Sequence, residues 1–150
     1  MANMTDRPNI VTKFMQAMLT SSTAFTITAG TGGGSAFTIT PPHKLRLMTA
    51  VNGSPNVVAG TELSATGYTA GGNTMGATAF GAPSAGVSSN SNPVSWTAGA
   101  AWTAVIAIEI WDTSGTPQRL LQGSITSVTL ANGNTLTFAA ASITADASAW

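Results

Sequence analysis

Catalysis by side chains needs acids, bases, nucleophiles or metal ligands brought together, and this sequence holds few of them. His43 is the sole histidine; it stands between Pro42 and Lys44 at the mouth of a strand and reads as an exposed loop residue rather than a general base. The carboxylates Asp6, Glu62, Glu109, Asp112 and Asp146 are scattered, without the spacing of an acid–base couple. Glu109 and Asp112 come nearest to one. Asp112 opens Asp112-Thr113-Ser114-Gly115-Thr116-Pro117, so its simpler role is to bond nearby backbone N–H groups in a turn. With one histidine and no cysteine, neither a two-histidine nor a thiolate metal site can form. The sequence therefore predicts no catalytic residue, no cofactor and no metal.

Two features could instead bind something. The run Ala29-Gly30-Thr31-Gly32-Gly33-Gly34-Ser35 has the glycines of a phosphate cradle, but such a loop needs a helix after it, and here a strand follows. Trp96, Trp102, Trp111 and Trp150 could stack on sugar rings, as in a carbohydrate-binding module. Trp102 and Trp111 lie an odd number of residues apart and face opposite sides of their strand. The simpler expectation puts one in the core and the other at a subunit interface.

The elements that must position these residues are mostly strands. Ile10, Val11, Phe14, Met15, Met18 and Leu19 recur at helical spacing and predict one amphipathic helix from about Asp6 to Leu19. Thr5 or Asp6 can cap it, Pro8 fits its first turn, and Thr20-Ser21-Ser22-Thr23 ends it. Ala24-Phe25-Thr26-Ile27-Thr28 is repeated as Ala36-Phe37-Thr38-Ile39-Thr40, which predicts a hairpin with its Phe and Ile side chains on one face. Lys44 to Val51 alternates, with Leu45, Leu47, Thr49 and Val51 inward and Lys44, Arg46 and Met48 toward solvent.

From Ala59 to Asn92 small and polar residues dominate, with Tyr68, Met75, Phe80 and Val87 as isolated anchors of a loop-rich third. Trp102 to Trp111 is the strongest strand signal and reads as a central strand. Arg119 to Ile125 and Val128 to Leu130 follow, and Asn132-Gly133 predicts a hairpin into Thr135 to Phe138. A last strand covers Ser142 to Thr144. The expected fold is mainly β, a β-sandwich or compact barrel with one short N-terminal helix. It forms one domain over residues 1–150, with a helical arm (1–23), a hairpin (24–40) and a β-rich body (41–150).

Composition narrows the partners. Hydrophobic residues make up 43% of the 150 residues, yet charged residues only 7%, and five basic side chains balance five acidic ones. About 25% charge is usual, so the solvent face must be built from Thr, Ser, Asn, Gly and Ala. Such a surface repels its neighbours weakly and suits a chain packed against other proteins. Arg7, Lys13, Lys44, Arg46 and Arg119 make no patch able to hold phosphates, so a nucleic-acid partner is not expected. Met1 to Phe14 lacks the apolar stretch of a signal peptide and no apolar run reaches about 18 residues, so neither secretion nor a membrane span is expected.

The order of elements resembles a small family of tailed-bacteriophage virion proteins, known as tail-fibre or capsid-decoration proteins. That family has a short N-terminal helix, a strand after a Pro-containing stretch, a Gly-Tyr step, a Gly-Ala-Pro-Ser loop, an Asn/Ser-rich segment and a Trp-led apolar strand ending in Asp. Here these are Pro41-Pro42, Gly67-Tyr68, Gly81-Ala82-Pro83-Ser84, Ser88 to Asn92, and Trp102 to Asp112. Leu120-Leu121, Gly133-Asn134-Thr135 and Phe138-Ala139-Ala140 match its closing elements. The first Ala24 to Thr28 copy looks like an inserted hairpin that the family commonly lacks.

The resemblance implies a non-enzymatic virion protein that binds other virion proteins, the major capsid protein first, and associates with itself. Heptads, collagen-like triplets and long tandem repeats are missing, which favours capsid decoration over a fibre or baseplate part. The residues expected at interfaces are Ile10, Phe14, Met18, Phe25, Ile27, Phe37, Ile39 and Trp111.

Overall fold

The computed structural model describes residues 13–27, 36–52, 60–76 and 78–146. The fold is mainly β and sandwich-like, as the period-two segments require. One layer is built on the antiparallel strands β3 (Lys44–Ala50), β8 (Trp102–Trp111) and β9 (Arg119–Leu130), with β8 in the middle. The free side of β3 takes two short strands end to end: β4 (Thr61–Glu62) beside Met48 and Ala50, and β5 (Asn73–Thr74) beside Lys44 and Leu45. The remaining strands pair as β10 (Thr135–Phe138) with β7 (Val94–Thr97) and β11 (Thr144–Asp146) with β6 (Val87–Ser89).

Leu45, Leu47, Ile108 and Ile110 of the first layer form one apolar cluster with Phe80, Val94, Trp96 and Ile143. Each such side chain contributes about 1.5–3 kcal/mol on full burial, so packing can hold this cysteine-free fold.

The two copies of the repeat pair as antiparallel strands, as expected. Strands β1 (Phe25–Ile27) and β2 (Phe37–Ile39) pair with Thr26 opposite Thr38, whose hydroxyls lie 3.0 Å apart. The glycine loop between them, the start of the N-terminal helix with Asp6, Pro8 and Ile10, and Trp150 lie outside the described residues. What is described of the helix is a helical turn at 13–15 running into a wide π-type turn, Gln16–Thr20. Its stop falls where Thr and Ser were expected to end it: the Thr20 hydroxyl bonds back to the Gln16 carbonyl and Ser21 is extended. Met15, Met18 and Leu19 insert into the chain's own core.

Three expectations are corrected. First, the alternation of β8 is broken. Register shifts between Trp102 and Ala107 turn Val105 into the core with Trp102, and leave Ala104 and Ile106 half-buried. Between Trp102 and Val105 the extra residue sits on β8, and between Val105 and Ala107 the two extra residues sit on β9, so both strands contribute to the irregularity. Second, Asn132-Gly133 does not make a β9–β10 hairpin. Gly133, at φ +83°, donates its N–H to Ala98 and Ala98 donates to Asn134, which carries the chain across to β7. Third, Arg46 does not point to solvent. Its guanidinium lies over the Trp111 ring, 4.2 Å from the centroid, and Met48 beyond it is fully buried.

The loop-rich third is tightly anchored. A Cβ on Gly72 would stand 2.1 Å from the Leu45 carbonyl oxygen, and its φ of +79° already disfavours other residues. Only glycine lets β5 approach β3 this closely. Met75 and Phe80 act as the buried anchors that their isolation in the sequence suggested.

Candidate functional site

Antiparallel pairing aligns three polar residues across the first layer: Arg46 opposite Glu109, and Glu109 opposite Gln122. These side chains stand in the ladder with Met48, Ala107 and Trp111, all buried, and at their centre is Glu109, 0% exposed. A carboxylate enclosed in this way must be fully paired. Arg119 Nη1 donates to its Oε1 at 2.8 Å, Trp111 Nε1 donates to its Oε2 at 2.8 Å, and the Gly60 N–H approaches Oε1 at 3.4 Å. Arg119 also donates to Gln122 Oε1 at 2.6 Å. Arg46 caps Trp111 as a cation over an aromatic face and reaches Glu62 at 3.8 Å.

Glu62 extends the network. It accepts from the Tyr68 hydroxyl and from the Gly71 N–H at 2.7 Å, while the Tyr68 oxygen receives the Leu47 N–H at 3.3 Å. Burial, followed by the bond to Glu62, pushes the Tyr68 phenol well above its usual range, so it acts as a fixed donor and not as an acid. Replacing Tyr68 with phenylalanine should cost about 1–2 kcal/mol, since Glu62 loses a donor and Leu47 an acceptor. Urea unfolding of the variant reads this directly.

Asp112 does what a turn-former should. Its Oδ1 accepts from the Gln118 N–H at 2.6 Å and the Ser114 hydroxyl at 3.2 Å, and its Oδ2 accepts from Thr40 at 3.1 Å. Thr113 returns a bond to the Thr40 carbonyl, so the turn also clasps the end of β2. His43 corrects the expectation of an exposed loop residue. It is 1% exposed, and its Nε2 lies 2.8 Å from the Met18 carbonyl oxygen. Burial holds its pKa below the usual value, although the Met18 bond and the Asp112 charge work the other way.

The arrangement can fix strands and hold charges out of water. Glu109 and Asp112, the nearest approach to an acid–base couple, are each tied to cations or N–H donors of the fold. Among the described residues no three His, Cys, Asp or Glu side chains gather to hold a metal. Trp96, Trp102 and Trp111 are all buried, so none is a flat platform for a sugar, and Trp111, expected at a subunit interface, is covered within the chain itself at 4% exposure.

Of the other residues expected at interfaces, Met18 and Ile39 are core residues of this chain. Phe14 and Phe25 are half-buried and meet edge to face at 6.3 Å. Ile27 and Phe37 are opposite each other in the β1–β2 register. Sequence reasoning passed over Arg119, although a signal was present: an acidic residue between Ile108 and Ile110 demands a partner, and Arg119 is the nearest cation across the following turn.

No family model, curated protein or solved structure matches this chain.

Proposed function

We propose that this chain is a non-enzymatic structural subunit of a tailed-bacteriophage particle, a capsid-decoration protein that binds the shell through uncharged surface. The observation that carries this reading is where the charge goes. Of the eight charged side chains among the described residues, only Lys13 and Asp146 are exposed; Glu109, Asp112 and the side chain of Arg119 are buried, and Lys44, Arg46 and Glu62 are half-buried. A chain already poor in charge thus turns most of it inward. The outside is left to Ser, Thr, Gly, Ala and Asn, a surface that can pack on a neighbour without desolvating ions.

The edge of the first layer fits the same purpose. Among the described residues β9 pairs with β8 alone, and from Leu120 to Leu130 it carries no ionisable side chain. Charge is the usual guard on such an edge, so the guard here is the bulge within β9, or a bound neighbour. The committed hydrogen bonds of Glu109 and Asp112 favour a structural over a catalytic role. The element order shared with the phage family gives the reading its particular setting, and symmetry would multiply modest contacts into a large effect on shell stability.

The test is to purify the particles and locate the chain by mass spectrometry and cryo-EM. Many symmetry-related copies on the capsid exterior are expected. Density confined to the tail would replace decoration with a fibre or baseplate role, and absence from the particle would overturn the reading. Rebinding of purified chain to particles stripped of it should change less than about twofold between roughly 0.05 and 0.5 M salt, because few exposed charges are available to be screened. A loss of several orders of magnitude over that range would instead mark phosphate contacts.

A further inference from the structure

We infer that His43 is a pH-operated latch, holding the N-terminal helix on the β-body at neutral pH and releasing it on acidification. The inference stands apart from the assembly role and rests on the geometry around one ring. His43 directly precedes β3, and its Nε2 meets the carbonyl of Met18 in the last helical turn. Among the described residues the helix also holds the body through apolar contacts of Met15, Met18 and Leu19.

A carbonyl oxygen can only accept, so Nε2 carries the proton and the neutral ring has a bare Nδ1. That Nδ1 is buried and has no partner. A second proton would therefore create an enclosed imidazolium whose new N–H has no acceptor, a state that detachment of the helix relieves by admitting water.

The charged groups on the surrounding elements do not cancel this. Asp112, at the end of β8, favours the cation, but its oxygens are already engaged by Thr40, Ser114 and Gln118. On the helix side the charge among the described residues is Lys13, exposed and of the wrong sign. On the β5 side Met75 donates its N–H to the His43 carbonyl, and residues 73–75 contain no ionisable group. Lys44 and Arg46, on β3 directly after His43, add positive charge.

The ring's pKa is lowered in the closed state, so the stabilisation is complete above the free value of 6.5 and is lost as pH falls below it. One proton is taken up on opening. The open population should then rise about tenfold per pH unit below that value, until the pH passes the ring's own closed-state pKa.

Amide exchange of the full chain from pH 7.5 to 5, corrected for intrinsic rates, tests this. Protection at residues 17–20 should fall about tenfold per unit, while the β3–β8 ladder keeps its own. In His43→Gln the side-chain amide can still donate to Met18 but does not titrate, so protection there should stay flat. The same slope in His43→Gln, or simultaneous loss in helix and ladder, overturns the latch. Should that variant not fold, the wild type decides, because its single imidazole gives one NMR titration. A midpoint below 6.5 that tracks helix opening supports the latch, and a midpoint at or above it refutes it.

Discussion

Replacing Glu109 with alanine is expected to destabilise the fold by about 3–5 kcal/mol, the range for breaking a buried ion pair by removing one partner. The side chain is 0% exposed and its partner Arg119 only 5%, so water cannot take over the role of the lost carboxylate. Arg119 would be left as a buried guanidinium without its anion, and Trp111 Nε1 would lose its acceptor. The loss should extend to Arg46, whose cation rests on the Trp111 ring that Glu109 holds in place.

The double variant Glu109→Leu with Arg119→Met separates the strain of an orphaned charge from the worth of the pair. It removes both ions and restores apolar volume, so it should recover more than half of the single-variant loss, giving a coupling energy of about 2–3 kcal/mol. Urea unfolding of wild type, Glu109→Leu, Arg119→Met and the double completes the cycle. A single-variant loss under about 1 kcal/mol would mean that the carboxylate is hydrated in solution.

What could be read in advance, and what could not, follows from how far apart the cooperating residues lie. The ends of β8 fall at Trp102 and Trp111 as the sequence pattern predicts, and Thr26 faces Thr38 in a register that keeps like positions of the two copies on one face, which a one-residue slip would not. These are local signals of period two. The failures are all long-range. His43 meets Met18 25 residues away, and its burial depends on a helix whose position no strand pattern encodes. Arg46 is drawn over Trp111 by a sheet register, since Lys44 and not Arg46 is opposite Trp111, and the long side chain lies back along the strand.

Asn132-Gly133 makes the turn that its residues predict, but the strand it leads into, β10, pairs with β7 and not with β9. Turn chemistry fixes the local backbone, while the choice between β9 and β7 as partner for β10 is made by the core, where Leu136 and Phe138 pack beside Trp96. Polar residues are expected outward because on most surfaces they belong there. In a chain with ten charges the few that exist are worth more as internal ties, and Glu109 inside an apolar strand was the visible clue.

Asn90 carries the same lesson into a segment that the sequence presents as plain loop, and its replacement by alanine is expected to cost about 3–4 kcal/mol. The residue is 2% exposed and uses its side chain on both sides. Its Nδ2 donates to the carbonyls of Asn92 at 2.8 Å and Ala139 at 2.9 Å, and its Oδ1 accepts the Ile143 N–H at 2.8 Å. Backbone bonds run in parallel, Asn90 to the Ile143 carbonyl and Ala141 to the Asn90 carbonyl. One amide thus ties the entrance of β11 to the exit of β6 and to the end of β10. Truncation removes three bonds and leaves the buried Ile143 N–H unpaired, at a cost of about 1–3 kcal/mol, while the Ala139 carbonyl keeps its bonds from Ser142. Asn90→Asp tests the polarity of the site: it keeps the acceptor for Ile143 but puts an anion against two carbonyls, so it should do no better than alanine at neutral pH. Amide exchange should locate the damage in the β6–β11 pair before the β3–β8 ladder yields, because the two share no hydrogen bonds. Uniform loss across both, or an Asn90→Ala variant within about 1 kcal/mol of wild type, would show that the amide is not the tie that the geometry makes it.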